Sequence, residues 1–548
     1  MHDLFVHWRK AGLLLVLLLA GCGGGGDSSN GSGTGSSGAQ ASTDSLSFKA
    51  ASPSASTPAA QVVSVTFGAN IAHLAITQRG LAIGNVSSTF SGRTAQISIA
   101  PDSPSSLGPG VFEGKVAVTG YVCADATCSA FAAGDSQTIS VSYQISPAVL
   151  YVAPHVATSQ TSQAVALRGF GFNRFNITDV LFGTTAASSF VVTNSSEIIV
   201  QAPALAAGSY PVIVKASDHE GEIPSDATLV VVDPVAYAAQ TLSYPNAATR
   251  ISSLLYDPER RSILVASDAP GSQLVRYAYD AGAWSPQSSG AVTSVRDAAL
   301  SITGAQLYVL SDTQLTLVDP VSLAAGTSYT APNLPSGAFL KSIALSNTNT
   351  AYITTGIDTT GATSPVYAFS EPSAAIIGLN AAPLNYATIE ANTAGTTLVA
   401  VQGDPASTTA LPVYLHTNLD SGTSLSQTGV TLQQTAAESA LDRTGNRIVL
   451  GGSLVYEGTL NLSASIPVAD AVAVKPDGTR VYAYYSASNT IETFDTTTFT
   501  NGQVLTSLGT TTLTVSPGAT VKMTITPDAQ TLILAGAAQI VIQPTPSF

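Results

Sequence analysis

The chain has 548 residues and a formal net charge of −14, and only 10 % of its residues are charged while 45 % are hydrophobic. An acidic chain without a basic cluster argues against nucleic-acid binding and against electrostatic adsorption to anionic lipid. Ser, Thr, Gly and Pro fill the polar positions, and these β-branched and turn-forming residues favour short strands. We therefore predict an all-β protein with several domains.

The N-terminus is typical of an export signal. Arg9 and Lys10 precede an apolar run, residues 13–19, that is too short to span a bilayer. The next residues, Leu19-Ala20-Gly21-Cys22, resemble the lipobox of bacterial lipoproteins. The resemblance implies removal of residues 1–21, acylation of Cys22, and a membrane partner reached through the lipid. An ordinary secretory signal with a chance cysteine is the alternative.

Residue 23 is Gly rather than Asp, so the sorting rule of that family implies an outer-membrane anchor, on either face of the membrane. Residues 22–44 consist of Cys22 and a stretch that is almost wholly Gly, Ser, Asn, Thr and Ala. Such a composition cannot bury a core and predicts a flexible linker that holds the folded part away from the lipid.

Residues 45–146 are predicted to form an immunoglobulin-like β-sandwich. Val63, Val65 and Phe67 alternate with polar neighbours, and later segments repeat this period of two. Phe112, Val116, Val118 and Val122 are expected on one buried face. In an exported chain, Cys123 and Cys128 favour a disulfide across a hairpin loop, which contributes about 2 kcal/mol. A redox or metal pair is the alternative, but the spacing is not C-x-x-C and nothing completes a zinc site.

Residues 147–233 carry a distinct pattern of Gly and Phe. Residues 166–172 read ALRGFGF, and Val180-Leu181-Phe182-Gly183 follows. The segment resembles the IPT/TIG domain, an immunoglobulin-like module in which these Gly residues allow tight turns and the Phe side chains pack between sheets. Its DNA-binding members use basic loops, whereas this segment has only Arg168, Arg174 and Lys215. The resemblance implies a fold and a spacer role, without nucleic-acid recognition.

Residues 234–548 contain seven copies of one unit, in which an apolar run, a polar turn and a second apolar run follow each other. The second runs begin at Ile263, Leu307, Ala351, Leu398, Ile448, Val481 and Leu532. A period of roughly 40–50 residues built from short strands predicts a β-propeller, here with seven blades. The shortest step, from Ile448 to Val481, predicts a trimmed outer strand. Unrelated consecutive sandwiches are the alternative.

Ring closure is expected at the ends of this region. We predict that residues 237–244 supply a strand that pairs with residues 539–542, because an unpaired edge would let the circle open. The repeats also resemble the YVTN-type propellers of microbial envelope proteins, best at Lys475-Pro476-Asp477-Gly478. The fold class is therefore predicted as two immunoglobulin-like sandwiches followed by a seven-bladed propeller.

Candidate catalytic and metal-binding residues are few. His73, His155 and His219 precede the propeller, and His416 is the single histidine within it, too few for a multi-histidine metal centre. Asp257, Asp477 and Asp528 are interpreted as turn residues. Asp268, Asp312 and Asp404 follow second runs and form a weaker hypothesis, a carboxylate ring that binds a cation. No cofactor motif is present, and we expect a pore without clustered ionisable side chains.

These observations favour a non-enzymatic protein of the bacterial envelope. We predict a lipid-anchored binding or scaffolding protein whose propeller contacts an unidentified protein, glycan or other ligand. The alternative is a propeller enzyme that acts on a carbohydrate or small ester, with His416 or a rim acid as catalyst. A spacer without any ligand is the third interpretation.

Overall fold

The computed structural model describes residues 38–548 except 53, 54, 220, 272, 358–364, 372–374, 380–383, 385, 404–410, 417–424, 433–438, 462 and 499. The described chain is almost entirely β, with one helical turn at Pro104–Leu107 and a 3-10 turn at Phe172–Arg174. This confirms the predicted fold class. Cys22 and the predicted signal lie outside the described residues. No described helix has the length and apolar character needed to span a bilayer.

The first domain is a sandwich of two four-stranded sheets. Val63, Val65 and Ile97 are fully buried between them, as the alternation predicts. Val122 is only half-buried, because the register shifts between Thr119 and Tyr121. In sheet order the strands are Gln40–Ala41, Gln61–Thr66, Thr94–Ala100 and Asn85–Ser91, then Ser45–Ala50, Phe131–Ile145, Gly110–Cys123 and His73–Gly80.

The predicted cysteine pair lies at the tip of the long hairpin in this domain. Cys123 and Cys128 are at disulfide distance, with their Cα atoms 4.8 Å apart. Between them, the Asp125 carboxylate accepts hydrogen bonds from the backbone N–H groups of Thr127 and Ser129, both at 3.0 Å. Hydrogen bonds from Ser129 and Thr127 hold the pKa of Asp125 well below its ordinary value. The pair therefore lies in a loop that Asp125 holds in order.

The IPT/TIG-like domain packs a second pair of sheets around Leu167, Phe172 and Phe182, which are fully buried. Gly169 is required there, because a Cβ atom would lie 1.9 Å from the carbonyl oxygen of Ala148. One sheet contains Val156–Thr158, Thr228–Val232, Gly208–Ala216, Ile177–Phe182 and Thr185–Ala186, with Glu222–Ile223 paired to the third of these. The other contains Ser189–Val192, Glu197–Ala202, Gln163–Phe170 and Ala148–Ala153.

Seven sheets follow, and the first strand of each contacts the first strands of the next and previous sheets in a closed ring. The prediction of seven blades is confirmed, and each predicted second run is the second strand of its blade. The first strands surround the channel and are Ile251–Asp257, Asp297–Leu300, Ala338–Leu345, Thr388–Ala391, Ala440–Leu441, Ala471–Val474 and Lys522–Ile525. The second strands are Ser262–Ser267, Leu307–Leu310, Thr350–Ile357, Leu398–Val401, Arg447–Leu450, Arg480–Tyr485 and Thr531–Ala535.

The outer strands complete the blades and close the ring. Gln240–Leu242 pairs antiparallel with Ile540–Pro544, so blade 7 contains strands from both ends of the propeller, as predicted. The third strands of blades 1–6 are Leu274–Asp280, Gln314–Val318, Val366–Ser370, Leu411–His416, Leu454–Glu457 and Thr490–Asp495. Their fourth strands are Ala283–Ser289, Ala325–Thr330, Ala375–Leu379, Ser426–Leu432, Ser463–Ser465 and Ser507–Thr512.

Blade 5 has the shortest of these outer strands, Ser463–Ser465, where the spacing predicted trimming. A further strand, Gln503–Val504, runs parallel to it and comes from the connection between the third and fourth strands of blade 6. A loop of one blade thus extends the shortened sheet of its neighbour.

Candidate binding site in the propeller channel

The IPT/TIG-like domain lies against one face of the propeller. Because every blade runs from its inner strand outwards, all turns between first and second strands fall on this face. Tyr151 donates a hydrogen bond to the carbonyl of Asn347 at 2.8 Å, and a His155 ring nitrogen lies 2.6 Å from the carbonyl of Ile302. Arg443 of blade 5 bonds to the Gln163 side chain. The domain therefore contacts turns of several blades at once.

A cavity of about 420 Å³ occupies the channel beneath this contact. The inner strands of all seven blades line it, and residues 154–158 of the IPT/TIG-like domain contribute to its wall. Its volume is in the range of sites that hold small molecules. Several ionisable side chains line the cavity. His155, Asp233, Arg261, Arg443 and Asp528 lie towards the IPT/TIG-like domain, whereas Asp297, Glu390 and Lys522 belong to the inner strands.

These three side chains come from different blades. Asp297 and Lys522 are the first residues of the inner strands of blades 2 and 7, and Glu390 lies within the inner strand of blade 4. Each is partly accessible in the channel rather than sealed in protein. The positive charge of Lys522 acts on both carboxyl groups, so the three converge on one part of the lumen.

Burial determines the protonation of the three groups. It raises the pKa of Glu390 to about 8, with a further contribution from the charge of Asp297. Burial also raises the pKa of Asp297, although Ser342 Oγ and the Ile343 N–H donate to its carboxylate at 2.8 and 3.0 Å. The pKa of Lys522 is lowered by burial against the attraction of both acids. We call Asp297, Glu390 and Lys522 the channel triad.

Further cations lie near the triad at the end of the channel opposite the IPT/TIG-like domain. Burial and the charge of Lys522 lower the pKa of Lys341. Arg296 pairs with Asp312 at 2.6 Å and lies 4.2 Å from the centre of the Phe339 ring. This mouth of the channel therefore concentrates charge in a protein that has few charged residues.

Two polar side chains of the channel have no side-chain hydrogen-bond partner among the described residues. Glu390 makes no side-chain hydrogen bond within the described part of the chain, although burial disfavours an unsatisfied carboxyl group. Ser439 lines the same cavity, is 7 % exposed, and its hydroxyl has no hydrogen-bond partner among the described residues. Native proteins leave few buried polar groups unsatisfied, so such groups call for an explanation.

The expectation of a pore without clustered ionisable side chains is wrong. The triad has no sequence motif, because its members lie in three blades and meet only when the ring closes. A signal was present, however. Asp297, Glu390 and Lys522 each place a charged residue in an otherwise mostly apolar or small inner strand, as Lys341 does in blade 3.

His416 does not lie at the channel mouth, contrary to the proposed catalytic alternative. It ends the third strand of blade 4 and is 6 % exposed, with its ring 5.7 Å from that of Tyr352. His155 contacts the propeller, and His219 Nε2 lies 3.1 Å from Ser146 Oγ. These three histidines therefore have packing or polar contacts with other parts of the protein.

The described members of the candidate carboxylate ring have other partners. Asp268 accepts hydrogen bonds from the N–H groups of Thr249 and Arg250, Asp312 is paired with Arg296, and Asp404 lies outside the described residues. The described ranges contain no group of three His, Cys, Asp or Glu side chains placed to hold a metal ion.

The turn interpretation of the other aspartates is confirmed. Asp477 accepts from Thr479 N, and Asp528 accepts from Gln530 N, each at 3.0 Å. Asp257 accepts from Arg260 N at 3.3 Å across its turn and from the Arg260 guanidinium at 2.8 Å.

The channel triad predicts a pH dependence of stability. The pKa of Glu390 rises from 4.5 to about 8 on folding, so the folded chain binds the extra proton between these values. Stability contributed by the neutral acid is present below pH 4.5 and is lost as the pH rises towards 8. We expect the thermal midpoint of Glu390→Gln to fall less over this range than that of the wild type. Equal slopes for the two proteins in a calorimetric pH series would contradict this.

Comparison with known proteins confirms the second domain, since residues 147–231 match the IPT/TIG domain. No curated protein sequence matches the chain significantly. Among solved structures it is similar to hydrazine synthase of Kuenenia stuttgartiensis, with 12 % identity, a TM-score of 0.43, and coverage of 56 % of this chain and 98 % of that chain.

Two proteins of Bacteroides thetaiotaomicron are also similar. One, of unknown function, has 12 % identity and a TM-score of 0.33 over 72 % of this chain and 98 % of its own. The other, an auxiliary nutrient binding protein, has 9 % identity and a TM-score of 0.34 over 73 % and 97 %. Likenesses of this degree carry no argument about function.

Proposed function

We propose that the chain is an exported, lipid-anchored binding protein of the bacterial cell envelope whose propeller channel holds a small polar ligand. The observation that carries this proposal is the channel triad in a cavity of about 420 Å³. Placing ionisable groups where burial disfavours their charged forms is destabilising, and it is characteristic of functional sites. The lipobox-like residues around Cys22 and the linker that follows support the location in the envelope.

Binding is favoured over pure scaffolding because the channel has both room and unsatisfied polar groups. On the wall formed by blades 5 and 6, Ala440, Ala471 and Ala473 line the cavity with small side chains. Glu390 and Ser439 present polar atoms from blades 4 and 5. A few polar groups in a mostly apolar cavity are the usual composition of a small-molecule site.

The test is ligand capture by the exported chain with Cys22→Ala, which is purified without detergent and dialysed against a small-molecule extract of envelope material. Ala440→Phe places a ring in the cavity from the inner strand of blade 5. Ala325→Phe adds the same ring on an exposed outer strand of blade 2 and is the matched control. We expect mass spectrometry to find the same compound on the parent and on Ala325→Phe, at least about tenfold depleted on Ala440→Phe.

Identical compounds on all three proteins, or none on the parent, would contradict binding in the channel. A melting curve of Ala440→Phe with a single transition close to that of the parent shows that the depletion does not come from unfolding.

A second candidate, an enzyme that acts on a carbohydrate or small ester, is favoured by one observation. A carboxyl group with a pKa of about 8 is protonated at neutral pH, as a general acid must be, and Glu390 has this property. Gln keeps the shape of the neutral acid but cannot supply its proton, so Glu390→Gln should abolish turnover while leaving any weakened binding detectable by capture. Accumulation of an altered compound by the parent, and of its unaltered precursor by Glu390→Gln, would identify an enzyme.

A further inference from the structure

The channel triad places two acids and one amine around the same space. We infer, building on the proposed function, that the channel ligand is a small zwitterion, a molecule with an ammonium group that contacts Glu390 and Asp297 and a carboxylate group that contacts Lys522. The inference names the chemical class of the ligand and rests on the geometry and charge of the lumen.

The two acids can accept hydrogen bonds from a ligand. Glu390 makes no side-chain hydrogen bond within the described residues and is partly accessible in the cavity. Asp297 is held in place by Ser342 and Ile343, which leaves its negative charge fixed beside Glu390. An ammonium group donates three hydrogen bonds and has no acceptor, so it complements two carboxyl groups.

The amine of the triad comes from a third blade. Lys522 belongs to blade 7 and interacts electrostatically with both acids, which belong to blades 2 and 4, so a molecule in this part of the lumen meets a positive group beside two acidic ones. The unpartnered hydroxyl of Ser439 on blade 5 provides an additional donor or acceptor in the same cavity. A carboxylate accepts from both an ammonium and a hydroxyl group.

The mixed charge argues against a ligand with one sign of charge. A simple cation would be attracted to Glu390 and Asp297 but repelled by Lys522. A simple anion would be attracted to Lys522 but repelled by the two acids. A zwitterion offers an opposite charge to the acids and to the amine alike, whereas a like charge placed against either is unfavourable.

The test is calorimetric titration with linear amino acids of increasing length, namely glycine, γ-aminobutyrate and ε-aminocaproate. For each, the N-acetyl derivative keeps the carboxylate and the methyl ester keeps the ammonium group. We expect one length to bind with the largest affinity and both of its derivatives to bind at least about tenfold more weakly, since a hydrogen bond to a charged group is worth about 1.5–3 kcal/mol.

The pH profile provides a second readout. Asp297 and Lys522 act on Glu390, while Arg250 and Lys341 oppose the charge of Lys522. Because an ammonium ligand favours the ionised form of Glu390, binding below pH 8 must release its proton, and affinity rises with pH up to about 8. An anionic ligand would show affinity that falls over the same range.

Substitutions assign the two ends. Glu390→Gln should weaken the zwitterion and the ester, and Lys522→Met the zwitterion and the N-acetyl derivative, each by about tenfold. Glu492→Gln, on the third strand of blade 6, and Lys215→Met, in the IPT/TIG domain, should change nothing.

The outcomes separate this inference from the proposed function. If no amino acid binds while the capture experiment still yields a compound that Ala440→Phe loses, the channel binds another class and the zwitterion assignment is wrong. If a derivative binds as tightly as its parent amino acid, the assignment is also wrong. If nothing is captured in the channel, both proposals fail.

Discussion

Ending the chain at Gln539 should unfold the propeller. The missing residues include Ile540, Val541 and Ile542, which are at most 5 % exposed and form the third strand of blade 7. Burial of each such side chain contributes about 1.5–3 kcal/mol, so their loss approaches the whole stability of a typical domain, about 5–15 kcal/mol. Gln240–Leu242 would also lose its partner, which opens the ring. Calorimetry should show loss of the propeller transition.

The matched control ends the chain at Thr545. Thr545 bonds to Gln530 and Ala529, and the strand from Ile540 remains complete, so this protein should keep the transition within a few degrees. A protein ending at Gln539 that still melts cooperatively at the wild-type temperature would show that closure by the two chain ends does not hold the ring together.

Most of the fold could be predicted because repeated local sequence patterns specify its strands. The second strands are recognisable as apolar runs after polar turns. The closing strand could be inferred because the edge of the last sheet requires a partner strand. The strand Gln503–Val504 could not be predicted in the same way. It has two residues, too few to show a period, and its pairing with Ser463–Ser465 arises only when blades 5 and 6 lie side by side.

The candidate site could not be predicted for a related reason. Asp297, Glu390 and Lys522 belong to different copies, and nothing in their local sequences indicates that they share a lumen. The sequence showed each as a polar residue beside an apolar run. The candidates of the alternative interpretations, His416, Asp268 and Asp312, instead lie within a blade, in a turn and in an ion pair.

The contact between the IPT/TIG domain and the propeller also could not be predicted from the sequence. His155 was one of several isolated histidines, but it lies at the interface, 3.4 Å from Glu259 of blade 1. A spacer would need no specific contacts with the propeller. Instead, this domain provides part of the cavity wall, so its position affects the volume and lining of the proposed site.

Arg168→Met should destabilise the IPT/TIG domain by about 3–5 kcal/mol. Arg168 and Glu197 are directly opposite on adjacent strands, form a salt bridge, and are 5 % and 8 % exposed. Removing the guanidinium leaves the Glu197 carboxylate buried without its charged partner, which is the costly outcome for a buried pair. Hydrogen exchange of the strands of this domain, measured at increasing urea concentration, should show its unfolding at a lower urea concentration than in the wild type.

The double variant Arg168→Met with Glu197→Leu distinguishes a charge effect from lost packing. Replacing a whole buried pair with apolar residues is often neutral, so the double variant should recover most of the stability lost by Arg168→Met. Lys215→Met breaks an exposed pair with Glu222 at 3.9 Å and should cost less than about 1 kcal/mol. If the double variant is as unstable as Arg168→Met, the stem of Arg168 stabilises the domain by packing rather than by neutralising Glu197.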